Sequence, residues 1–185
     1  WHFNTYTAAW FKIFLAVIIV SMVANEYSNK TLKQNLIDGL SKKEFITSKF
    51  ITVVVFSFIS TLFVFLVSLV LGLVYSDYNE IGIIFSDLEY LIAYFVKLIG
   101  FFSFCLFIGI LVKRSAFALG FLGLWFFLEM ITFGMMKWKT EEGSTLPDTI
   151  AGFFPLGSMW NLIDEPITRM SAIQTVAKQV GENLE

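Results

Sequence analysis

The sequence predicts an all-α, polytopic helical membrane protein, and three observations carry that prediction. Four long apolar runs contain almost no charge, the charged fraction is low, and Lys and Arg concentrate in alternate connections between the runs. Of the 185 residues, 57% are hydrophobic and 15% charged, with a mean hydropathy of +0.74. A soluble domain carries about 25% charged residues. Strands of a membrane barrel would be about 10 residues long with alternating polarity, and these runs do not alternate. The expected organisation is a single transmembrane domain over residues 1–185.

A helix crosses the hydrocarbon core with roughly 20 apolar residues. The first predicted span runs from about Thr7 to Ala24; its one charge, Lys12, lies near an end, where its stem can snorkel to the headgroups. The second, about Phe50 to Tyr75, is free of charge from Phe50 onward. The third covers about Tyr90 to Val112 and the fourth about Ser115 to Met136. Between the first two stand Lys30, Lys33, Lys42, Lys43 and Lys49, and the turn between the last two holds Lys113 and Arg114. The intervening loop carries Asp77, Glu80, Asp87 and Glu89 and no basic residue. By the positive-inside rule the expected localisation is a cell (inner) membrane, with 25–49 and 113–114 cytoplasmic. Trp1, the acidic loop and the tail 137–185 then face outward, with Trp1, Trp10 and Trp138 as interfacial anchors. In the tail, GFFPLGSMWNLI is too short and too interrupted by Gly and Pro to span, which predicts a re-entrant or amphipathic element, and 171–180 reads as a short surface helix.

The connection NEYSNKTLKQNLIDGLSKKEFITSKF is long for a helix hairpin, which closes with about 2–8 residues. Leu32, Leu36 and Leu40 recur every fourth residue, while Lys30, Lys33, Gln34 and Asp38 fall on other faces, the pattern of a short amphipathic helix. Gly39 suits a helix C-terminus that needs positive φ. Ser41 and Glu44 have the spacing of a capping box, so a second helix is expected from Lys42 into the next span. The segment reads as helix, corner, helix.

Glu26, Thr31, Leu32, Leu36, Gly39, Leu40, Ser41, Lys42 and Lys49 together resemble the first cytoplasmic loop of ABC type-2 transporter permeases. The family often has Arg after the corner Ser; Lys42 keeps the charge but not the planar fork. The resemblance extends more loosely to the spans, the basic turn and the FFPLGSMWNLI stretch. It implies that the loop is a coupling helix, with Lys43 beside Lys42 in the docking surface, and that the chain is the permease subunit of an ATP-driven exporter. It also implies a partner ATP-binding subunit that holds the ATP and Mg, a second permease subunit, and six spans of which this chain supplies the second to fifth. The start at Trp1 rather than Met agrees with a piece of a longer chain. Periodicity alone also fits a basic helix lying on the anionic inner leaflet.

Two charges lie inside spans. Lys97 precedes Lys113 by 16 positions and Glu129 follows Arg114 by 15, so both sit about 22–24 Å from the basic turn. An ion pair between them would offset two costly burials; lining a polar path or snorkelling outward are the other readings. Gly100, Ser103, Gly109, Gly120 and Gly123 suit close helix packing. Cys105, the one cysteine, lies in an apolar run and reads as a small buried residue.

No enzymatic constellation appears. His2 is the single histidine, and no Gly-rich loop ends in Lys followed by Ser or Thr. Glu141 and Glu142 lie outside the span without His partners downstream. The chain is expected to have no cofactor of its own and, with a net charge of −2, no nucleic-acid partner. A secondary transporter or channel, and a membrane-anchoring or assembly protein, are the rival readings.

Overall fold

A computed structural model describes residues 1–75, 88–139, 146–160 and 162–163. Every element among them is helical: α1 (His2–Trp10), α2 (Lys12–Ser28), α3 (Thr31–Ile37), α4 (Lys42–Tyr75), α5 (Glu89–Val112), α6 (Ser115–Lys139), α7 (Leu146–Ala151) and α8 (Pro155–Trp160). The acidic residues Asp77, Glu80 and Asp87, the pair Glu141 and Glu142, and the surface helix expected at 171–180 lie outside the described residues.

α5 is the hub. Its sequence is apolar on every face, the pattern of a helix surrounded by others, and it packs against α1, α2, α4, α6 and α8. Val20, Val23, Val53, Leu98, Phe102 and Cys105 form the centre of the core around it. At Gly109 a Cβ would lie 3.5 Å from Val23 Cβ, so the missing side chain lets α2 approach closely. Gly120 and Gly123, by contrast, have nothing within 4 Å where a Cβ would project, and among the described residues they bring no helices together.

α4 and α6 turn large apolar side chains outward, among them Phe58, Phe63, Phe117, Leu124 and Phe127. So continuous an apolar exterior is stable against hydrocarbon rather than water. α4, α5 and α6 are each long and apolar enough to cross a membrane, and α1 with α2 makes a fourth candidate bent by 48°. The chain is thus an all-α membrane protein.

The bend corrects the first span, expected as one straight helix from Thr7 to Ala24. At Phe11 the backbone amide bonds to the Ala8 carbonyl three residues back (3.0 Å) and the helix breaks. Neither Pro nor Gly marks the site, so composition carried no warning. The break also corrects Lys12. Instead of snorkelling, it is 4% exposed, with its ammonium over the Phe101 ring at 5.0 Å.

The bundle has two distinct ends. At one, Lys113 lies over the Tyr27 ring at 5.7 Å, so the α5–α6 turn meets the exit of α2 beside α3. At the other, Trp1 stacks on Phe65 (5.4 Å) and His2 on Tyr90 (4.3 Å), joining the start of α1 to the start of α5. Trp10 and Trp138 are exposed.

Candidate functional site

The α3 end is built by local chemistry. Lys30 takes a left-handed φ of 58°, which turns the chain out of α2 into α3. The Thr31 hydroxyl donates to the Glu26 carbonyl (3.2 Å) across that turn. α3 closes in a Schellman arrangement: the Leu40 amide donates to the Asn35 carbonyl (2.9 Å) and the Gly39 amide to that of Leu36 (3.4 Å). Gly39 has φ 105°, a conformation that any other residue resists. The capping box then forms reciprocally: the Ser41 amide donates to Glu44 Oε2 (2.8 Å) and the Glu44 amide to Ser41 Oγ (3.1 Å). Hydrogen bonds from the Ser41 backbone and side chain hold the Glu44 carboxyl below its ordinary pKa.

From Lys42 the helix runs 34 residues without a break into the apolar stretch. Lys49, on its second turn, forms an ion pair with Glu26 on the last turns of α2, and its ammonium also lies 5.4 Å over the Phe45 ring. Both charged side chains are partly shielded, which strengthens the pair relative to an exposed one. Corner, α2 and α4 are thereby tied together.

The structure sorts the sequence-derived docking residues into two faces. Leu32, Leu36 and Leu40 are half-buried, whereas Lys30, Lys33, Lys42 and Lys43 are exposed. Ile37, which the fourfold Leu spacing passed over, is 74% exposed on the same short helix as Lys33. Phe45 and Tyr27 were also missed; the i, i+4 spacing of Phe45 and Lys49 was the available signal.

A second cluster lies where α1 breaks. Lys12 and Lys97 are 4% and 2% exposed and close enough for their charges to interact. Phe101, one turn beyond Lys97, stacks under Lys12, and Tyr94 is buried one turn before it.

Glu129 has a different environment, which corrects the expected pair with Lys97. Its carboxylate accepts from Trp125 Nε1 (2.6 Å), the Gly157 amide (2.8 Å) and the Leu156 amide (3.3 Å). Among the described residues the ion pair present is Glu26–Lys49, and none joins Lys97 to Glu129. The depth argument held for neither side chain's direction: Lys97 belongs to the face of α5 packed on α1 and α2, while Glu129 faces α8. Leu156 and Gly157 carry the first free amides of α8, since Pro155 has none, so they present the positive end of a helix to the carboxylate. α8 also sets Met159 against Gly100, near the middle of α5. α8 thus packs against α5 and α6.

The chain belongs to the DUF2705 family, described as a protein of unknown function, whose model matches residues 2–145. The match takes in α1 to α6 and the whole α3 corner. No curated protein and no solved structure matches the chain.

Proposed function

We propose that this chain is the membrane-spanning permease subunit of an ATP-binding-cassette exporter, with residues 25–49 on the cytoplasmic side as its coupling element. The observation that carries the reading is the capped corner tied by Glu26–Lys49 to a helix continuous with a membrane span. A docking lever must transmit force without bending at its root. A mobile loop would absorb the motion of an ATPase subunit, whereas a corner fixed at both ends by caps and across its base by an ion pair passes it on to α4. The exposed Ile37 offers an apolar contact and the exposed Lys33, Lys42 and Lys43 offer positive charge, which fits an apolar groove with acidic residues on that subunit.

Co-purification from membranes with an ATP-binding subunit encoded beside it tests the proposal. Lys42→Glu with Lys43→Glu, or Ile37→Asp, abolishes the complex while the variant still accumulates in the membrane. Complex formation at wild-type level in both variants contradicts it.

A second reading, a secondary transporter or channel, draws on a specific feature: Lys12 and Lys97 converge at a helix break inside the bundle, where such proteins place ion and substrate sites. Transport by the purified chain in vesicles without any ATPase supports that reading and removes the first.

A further inference from the structure

We infer that Glu129 is a latch that holds residues 155–160 as a releasable strap across the middle of α5. α8 is six residues long, far below the length at which a helix is stable by itself. It persists because of what it touches. Glu129, 27 and 28 residues earlier in the chain, caps its first two free amides, Leu156 is buried beneath it, and Met159 occupies the space left by Gly100. A Cβ at Gly100 would lie 3.2 Å from Met159 Cε, so the glycine is a seat shaped for this side chain.

The clamp makes the strap two-state. With Glu129 in place the amides of Leu156 and Gly157 are satisfied at a partly buried site against the apolar helices. Without it they would remain there unpaired, which is costly where water is scarce. The strap then leaves as a unit and exposes the α5 face at Gly100, one turn from the buried Lys97. Trp125 Nε1 bonds the same carboxylate from one turn back on α6 and fixes its direction. Glu129 is in this sense a positioning residue for the strap.

The test uses the whole chain in bilayers with Cys105→Ala as background. Cysteines at Gly100 and Met159 report the seated strap by disulfide formation under mild oxidant. Cysteines at Val23 and Gly109, whose Cβ positions lie 3.5 Å apart, report the packing of α2 on α5 at the other end. Glu129→Ala slows the first crosslink about 2- to 30-fold, the span of helix-cap losses, and leaves the second unchanged. Glu129→Gln, which keeps one acceptor oxygen, falls between and decides by the same criteria if the Ala variant does not accumulate. An unchanged first crosslink overturns the latch, since apolar packing alone would then hold the strap. A parallel loss of both crosslinks overturns it too, because Glu129 would then support the entire fold.

Discussion

Glu26 and Glu129 are both carboxylates on bundle helices, yet they stabilise opposite kinds of structure. Glu26 meets a cation, Lys49, 23 residues away, at the root of a corner whose every turn is also closed by its own caps. Glu129 meets no cation among the described residues; it supplies the cap that a short helix lacks. Removing Glu26 leaves α3 with its Schellman closure and α4 with its capping box. Removing Glu129 leaves α8 with two unpaired amides. The α3 end is redundantly fixed, whereas the polar anchoring of α8 rests on one carboxylate.

Substitutions can break or sharpen that contrast. The largest effect belongs to the hub that serves both regions. Phe102 is fully buried between α4 and α5, and Phe102→Ala should cost about 3–5 kcal/mol. Thermal unfolding in detergent should show both regions melting together at a lower temperature. A double-mutant cycle on Glu26→Ala and Lys49→Ala comes next, with a coupling energy of about 0.5–3 kcal/mol. Limited proteolysis should still find α3 protected, because its local caps survive. Ser41→Ala removes one arm of the capping box and should cost about 1 kcal/mol, read from the urea midpoint.

The smallest effect is pH dependence at Glu44. Its folded pKa is depressed by the Ser41 hydrogen bonds, so its contribution is complete above the unfolded value and disappears as pH falls through the folded one. The protection of amides at the start of α4, measured relative to the exchange rate of an unfolded chain at the same pH, should therefore fall on acidification below the ordinary carboxylate range, and Glu44→Gln should abolish that fall.

The difference between the two regions also explains what the sequence made legible. Ser41 with Glu44, and Gly39 after the Leu spacing, are local signals within a few residues, and the helix-corner-helix they predict is the one observed. The four apolar runs were equally plain, since spanning depends on composition along a single helix. Glu129's partners are 27 and 28 residues distant and are backbone amides, which carry no identity in sequence. Depth along two helices placed Lys97 and Glu129 at one level, but helix rotation decides whether two side chains face each other, and depth says nothing about rotation. The break at Phe11 was hidden for another reason: no Pro or Gly announces it, and the Lys12–Phe101 contact beside it joins residues on different helices.

If α3 and α4 move as one rigid body, a distance measurement shows it without knowledge of any substrate. In a Cys105→Ala background, spin labels replace the exposed Asn35 on α3 and Ile59 on α4, and their separation is read by pulsed electron resonance in bilayers. A rigid corner gives a single narrow distance distribution that stays narrow when an ATP-binding subunit is added and broadens when Glu26→Ala is combined with Ser41→Ala. A broad distribution in the chain with Glu26 and Ser41 intact would contradict it.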